Sequence, residues 1–271
     1  MPNVLKYPGS KWSMAEWIIS HFPHGYERMT YLEPFFGSGA IFFNKNRSQV
    51  ETINDLDSNV VNLFRVIREH PEELARLVSF TPWSREEYKV SYEMTGESLE
   101  DARRFLVRMW MAIGAKSSDI TGWRHNIKTV NGNCMQWSTK LPEHILQTSS
   151  RLKHLGNCLV QIENQDALKL IERHRRENVF IYCDPPYVLS TRHGRIYRCE
   201  MKNQDHIQLL KMLLNHPGPV MISGYENEIY SDILERWDVG KQGANCEGGA
   251  KRTEIIWMNY KSTSLKQISI I

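Results

Sequence analysis

Thr30-Tyr31-Leu32-Glu33-Pro34-Phe35-Phe36-Gly37-Ser38-Gly39-Ala40, followed by Val50-Glu51-Thr52-Ile53-Asn54-Asp55-Leu56-Asp57, decides the fold. Two short β-like runs flank a glycine-containing turn and room for a helix. Gly37 and Gly39 let the backbone turn tightly and approach a ligand. Loops at strand ends are where open α/β sheets bind nucleotides. No Gly-Lys-Ser/Thr closes the loop, so it is not a Walker P-loop, and Phe42 stands where a full G-x-G-x-x-G needs its last glycine. Taken alone, the loop reads equally well as a tight structural turn. Asp55 lies 22 residues beyond Glu33, at the end of the second run. A carboxylate in that position accepts hydrogen bonds from ribose hydroxyls. The combined pattern therefore points to a nucleoside cofactor. Asp57 has a second reading, as the N-cap of a helix carrying Val60, Val61, Phe64 and Ile67.

Further β-like runs follow: Leu159-Val160-Gln161-Ile162, Val179-Phe180-Ile181-Tyr182-Cys183, Pro219-Val220-Met221-Ile222-Ser223 and Glu254-Ile255-Ile256-Trp257-Met258. Several are nearly continuous apolar stretches, the mark of strands covered on both faces. A helical stripe at Ile207, Leu210, Leu213 and Leu214 lies between two of them. Strands alternating with helices predict a mainly parallel α/β sheet. The stretch from about 54 to about 158 is too long for one crossover. It shows strong helical periodicity at Leu99, Ala102, Phe105, Leu106, Met109, Trp110 and Ile113, then turns polar through 117–132. The expected architecture is an α/β Rossmann-like sheet with an inserted, mainly helical subdomain carrying a basic loop or hairpin. Residues 1–69 and 155–262 form the sheet domain, 70–154 the insertion and 263–271 a tail.

The chain has 271 residues, 41% of them hydrophobic and 24% charged. These are ordinary globular values that exclude disordered, collagen-like and disulfide-scaffold classes. No apolar run approaches a membrane span, and the N-terminus has no secretory stretch. The five cysteines, Cys134, Cys158, Cys183, Cys199 and Cys246, form no CxxC pair and are expected to be reduced thiols of a cytoplasmic protein rather than metal ligands. Net charge is only +3, but it is unevenly spread. Segment 70–102 holds three Lys or Arg against eight acids, a net of −5. Segment 103–153 holds nine against two, a net of +7, and 188–202 holds four against one, a net of +3. Trp110, Trp123, His125, Trp137, His193 and Tyr197 lie within the basic stretches. Such clusters suit phosphates and stacked bases, or else form a solvated basic face.

Cys183-Asp184-Pro185-Pro186-Tyr187 ends a β-like run. Two prolines fix φ, remove two N–H donors and hold the preceding residues extended. The product is a rigid corner with a carboxylate, free carbonyls and a ring. That suits a planar ligand carrying an exocyclic NH2: Asp184 and a backbone carbonyl each accept one N–H, and the Tyr187 ring stacks on the plane. Holding both protons localises the amine lone pair and makes it nucleophilic. The alternative is a strand-terminating turn with Asp184 as its cap.

Tyr7-Pro8-Gly9-Ser10-Lys11, Glu33 through Gly39, Asn54-Asp55, Asp184 through Tyr187 and the late strand from Glu254 to Tyr260 occur in this order. The set resembles the Dam-like, D12 class family of DNA adenine-N6 methyltransferases over about residues 4–260. The resemblance implies S-adenosyl-L-methionine as methyl donor. It puts Tyr7 and Lys11 at the donor's methionine end and Glu33, Gly37 and Gly39 beneath it. Asp55 would hold the ribose, Asp166 would lie near the adenine, and Asp184 would serve both donor and target amine. Asp184, Pro185, Pro186 and Tyr187 form the catalytic turn. The substrate implied is double-stranded DNA with the target base flipped out. The insertion is expected to read the site through Arg124, Asn126 and Lys128, with Arg192 and Arg195 on phosphates. Segment 117–126 does not match the recognition hairpin of GATC-reading members. Arg124 and Asn126 are the types that read guanine and adenine edges, or are ordinary loop residues. A restriction–modification setting, with a partner restriction endonuclease, belongs to the same expectation. No metal is expected. Competing readings are an N4-cytosine or RNA adenine methyltransferase, a protein-glutamine methyltransferase, a non-catalytic DNA-binding module on this scaffold, and a small-molecule Rossmann enzyme.

Overall fold

The computed structural model describes residues 1–114, 116–127, 132–192, 194–245 and 251–262. After helix α1 (Ala15–Ser20) the chain enters β1 (Thr30–Glu33), α2 (Ala40–Asn44) and β2 (Val50–Asn54). Six helices then intervene: α3 (Ser58–Glu69), α4 (Pro71–Phe80), α5 (Arg85–Val90), α6 (Ser98–Met111), α7 (Gly132–Thr139) and α8 (Leu141–Leu152). The sheet resumes with β3 (Leu159–Glu163), α9 (Ala167–Arg173), β4 (Val179–Cys183), α10 (Asn203–Leu214), β5 (Val220–Tyr225) and α11 (Glu228–Ile233). A hairpin of β6 (Asp238–Asn245) and β7 (Lys251–Met258) closes it.

The seven strands are ordered β3-β2-β1-β4-β5-β7-β6. The first five run parallel, and β7 enters antiparallel between β5 and β6. This is a mixed α/β sheet, as expected. Strand order reverses between β1 and β4, the switch point where such sheets open a ligand crevice. The apolar runs are continuous because both faces are covered. Tyr31, Phe180, Tyr182 and Met221 pack into one core cluster, while Leu32, Ile181, Cys183 and Ile222 pack into the other.

The first cluster is continuous with Leu74, Phe105, Trp110, Trp137 and Ile145 of the intervening helices. Those helices therefore share the sheet's core. An ionic knot reinforces the join: Arg151 of α8 donates to Glu51 of β2 at 2.6 and 2.8 Å, and Lys45 also bonds Glu51. The guanidinium of Arg151 stacks 3.9 Å over the Phe42 ring.

Strand β6 lies outside the expected set. It has two glycines and little apolar alternation, and its pairing comes from β7. The stripe of α10 is shifted from the expected one: His206, Leu209, Leu210 and Leu213 are buried, and Leu214 faces solvent. The polar 117–127 segment is a loop closed by one bridge, Ala112 with Trp123. Among the described residues no helix is long and apolar enough to cross a membrane, and no cluster of metal-ligating side chains occurs. Lys128, His193, Cys246 and the 263–271 tail lie outside the described residues.

Candidate active site

Loops leaving β1, β2 and β4 meet at the switch point around a cleft of about 740 Å³. Tyr7, Lys11, Glu33, Gly37, Asp55 and Asp184 all line it. The glycine loop is shaped by its backbone. Gly37 and Gly39 have φ of +51° and +70°. A Cβ on Gly39 would stand 2.5 Å from Phe36 and 2.6 Å from Phe43. Glycine is required there both for conformation and for space. The Phe36 N–H donates to the Asn54 carbonyl at 2.8 Å, tying the first loop to the end of β2.

Asp55 receives the Gly37 N–H on Oδ2 and the Asp57 N–H on Oδ1, both at 2.8 Å. Burial pushes its carboxyl up to about 7 against those backbone hydrogen bonds, with neighbouring Asp57 adding to the rise. Glu33 is pushed up to about 8, again by burial, and receives the Tyr31 hydroxyl at 2.6 Å. Asp57 is the N-cap of α3, accepting from the Asn59 N–H at 3.0 Å.

Asp184 leaves the end of β4 and is gripped from two sides. Ser223 of β5 donates to Oδ1 at 2.8 Å, and the Lys11 ammonium lies 3.2 Å from Oδ2. Lys11 also donates to the Gly9 carbonyl at 2.7 Å, lies 3.7 Å from Glu254 and sits 4.6 Å from the Tyr187 ring centre. Burial alone would lower its pKa, but Asp184 and Glu254 outweigh that and hold it above the ordinary value. The Tyr187 hydroxyl donates to Glu254, whose carboxyl burial raises, and its ring meets Tyr225 edge-on at 4.6 Å. The corner is thus a closed polar set of Asp184, Lys11, Ser223, Glu254 and Tyr187. The Asp184 side chain keeps 19% exposure to the cleft. A carboxylate so held can accept from an amine without reorienting.

Arg192 and residues 194–201 strap the cleft. Tyr197, Cys199, Glu200 and Met201 line it. Arg192 and Glu200 pair inside the strap, Arg192 Nε donates to the Tyr187 carbonyl at 2.9 Å, and Glu200 accepts the N–H groups of Ile196 and Tyr197 at 2.8 and 3.0 Å. The Arg192 side chain is 5% exposed, so its guanidinium is engaged within the protein.

Not every candidate residue gathers here. Asp166 caps α9, accepting the Lys169 N–H at 3.0 Å, and is exposed. The Pro185 ring is buried, and Pro186 lines the cleft. Arg195 and Asn126 are exposed, and Arg124 Nε donates to the Ala112 carbonyl at 3.2 Å. Ser223, Glu200 and Met201 were not singled out from the sequence, Arg192 and Arg195 were read as phosphate contacts, and Glu254 was named only as the head of the late strand. Glu254 carried one signal, an acid heading an apolar strand.

A solved structure described as precorrin 8w decarboxylase from Methanobacterium thermoautotrophicum is 10% identical, with a TM-score of 0.42, over 95% of this chain and 97% of that one, too slight a likeness to argue from. A type II methyltransferase, M1.LlaDCHI of Lactococcus lactis subsp. cremoris, is 27% identical over 277 aligned residues, covering 94% of each chain. The family described as D12 class N6 adenine-specific DNA methyltransferase matches residues 7–244, which span the glycine loop, the intervening helices and the proline corner. The chain belongs to the D12 class of N6 adenine-specific DNA methyltransferases.

Proposed function

We propose that the protein transfers a methyl group from S-adenosyl-L-methionine to the N6 amine of an adenine flipped out of duplex DNA, and that segment 70–154 carries target reading. One observation carries this reading: the glycine loop and Asp184 bound a single cleft at the switch point.

The cleft's residues suit the cofactor. Its walls mix apolar and aromatic side chains, Phe35, Phe36, Ile41 and Tyr197, with a few converging polar groups, the make-up of a small-molecule site. Glu33, Asp55, Asp184 and Glu200 line it together with Lys11, the one cation on its wall among the described residues and itself already paired. Asp184 is paired with Lys11 and Glu200 with Arg192, so Glu33 and Asp55, both pushed up by burial, are the carboxyls left to hydrogen-bond a polar ligand. Asp55 would accept from the ribose hydroxyls, and Tyr7 with the Gly37–Gly39 turn would support the rest. When bound, the donor supplies an already activated methyl on a sulfonium, so the protein's task is alignment and electrostatics.

Asp184 would accept one N–H of the target amine and the Pro185 carbonyl the other, which aims the nitrogen lone pair. Lys11 and Ser223 keep the carboxylate in place, and Glu254 holds Tyr187. The target base must leave the stack, at a few kcal/mol of lost pairing and stacking, which basic contacts from the insertion help offset.

The test uses labelled donor and unmethylated duplex DNA. The purified protein is expected to label the DNA, with N6-methyladenine found on digestion. Asp184→Ala should lower kcat by roughly 10²-fold or more while the melting transition stays cooperative. Undiminished transfer by that variant rules out the role given to Asp184. Label appearing as N4-methylcytosine, or in RNA alone, replaces the substrate.

A further inference from the structure

A second cavity, of about 730 Å³, lies at the seam between α6, the start of α3, loop 116–120 and Arg198. It shares no wall residue with the cofactor cleft. Arg108 of α6 is its notable occupant. The Arg108 guanidinium lies 5.3 Å from the Phe105 ring and 5.7 Å from the Tyr92 ring. Its Nε and Nη2 are buried, and neither has a hydrogen-bond partner among the described residues. A buried guanidinium with unmet donors is costly unless an acceptor fills the space before it. Lys116 and Arg198 also face the cavity. Two acids share the wall. Asp57 Oδ1 is engaged by Arg198 at 3.2 Å and by the backbone and side-chain amides of Asn59, both at 3.0 Å. Asp119 accepts from the Ser118 hydroxyl at 2.7 Å. Asp57 Oδ2 has no hydrogen-bond partner among the described residues. Three cations against two acids leave the cavity positive.

We propose that this seam cavity seats a phosphodiester of the bound DNA, with Arg108 and Lys116 as its ligands. The inference rests on the DNA-substrate reading above. A phosphate has no donors and several acceptor oxygens, the complement of a guanidinium and an ammonium that line one cavity. The position also fits. Loop 116–120 belongs to the basic insertion and is laced to the strap over the cofactor cleft. The Ser117 N–H donates to the Ile196 carbonyl at 2.9 Å, the Arg198 N–H to Ser117 Oγ at 3.1 Å and the Ser118 hydroxyl to the Arg195 carbonyl at 3.2 Å. A backbone phosphate held at the seam is therefore one strap away from the corner that grips the target base.

The test is a set of anisotropy titrations of labelled duplex over a range of NaCl, comparing wild type with Arg108→Gln and Lys116→Ala. Each variant should flatten the slope of log Kd against log salt by about 0.9, the loss of one phosphate contact. Binding should weaken several-fold and equally on duplexes of different sequence, with S-adenosylmethionine affinity in the absence of DNA unchanged. Should Arg108→Gln melt early, Lys116→Ala carries the test, because that side chain is exposed. Unchanged slopes in both variants overturn the proposal, as does a loss confined to one duplex sequence, which makes Arg108 a base reader. Unchanged slopes together with inorganic phosphate binding that vanishes in Arg108→Gln, followed by phosphorus NMR, assign the seat to a free anion and also overturn it. Wild-type protein that binds duplex in this way but transfers no methyl removes the methyl-transfer reading and leaves the seat. Wild-type protein that binds no duplex removes both.

Discussion

Asp184 was legible because its neighbours are prolines: two fixed φ angles after an apolar strand announce a rigid corner wherever they occur. The residues that hold it were not. Lys11 and Glu254 come from opposite ends of the chain and meet only when β7 slots beside β5. Arg192 illustrates the converse. A basic residue just after the corner reads naturally as a phosphate contact, yet in the fold it pairs with Glu200, eight residues on, inside a strap with no regular period. The raised carboxyls have a measurable consequence. Glu33 and Asp55 ionise near 8 and 7 in the folded protein, well above the ordinary carboxylate range, chiefly through burial. Between about pH 4 and pH 8 the folded state therefore binds more protons than the unfolded chain, and stability contributed by these groups is lost as pH rises. Glu33→Gln removes one such group. Its melting temperature at pH 8 should exceed wild type, by about 1–3 kcal/mol of stability, with the advantage shrinking toward pH 5. A variant no more stable than wild type at pH 8 contradicts the assignment of a protonated Glu33.

Strands and long helices were the most readable elements. β4 and β5 follow from apolar runs buried on both faces, β1, β2 and β3 from shorter β-like runs, and α3 and α6 from their stripes. β6 escaped because an edge strand with two glycines has no pattern of its own. The helices between β2 and β3 were legible as helices, but their union with the sheet was not, since Arg151 and Glu51 are 100 residues apart. That union is testable. Arg151→Ala leaves Glu51 and Lys45 buried without their third partner. Breaking a buried, hydrogen-bonded ion pair typically costs about 3–5 kcal/mol. Urea melts should show that loss as a lower midpoint with an unchanged slope. A midpoint within experimental error of wild type would mean the knot is neutral and the shared apolar core alone joins α8 to β2.

For the molecule as a whole, the order of motifs along the chain told more than any one of them. A glycine loop, an acid at the end of the next strand, a basic insertion and a proline corner each have a bland explanation. Folding places the glycine loop, the acid and the corner at one switch point, with Lys11 reaching in from the N-terminal segment. The proposed methyl-donor site lies between the Gly37–Gly39 turn and Asp184. Crystals grown with S-adenosylhomocysteine, the demethylated donor, test this directly. The ribose should lie against Asp55 and the sulfur should face the Asp184 corner. Density for the ligand elsewhere, with Asp55 and Asp184 both out of reach of it, contradicts the account.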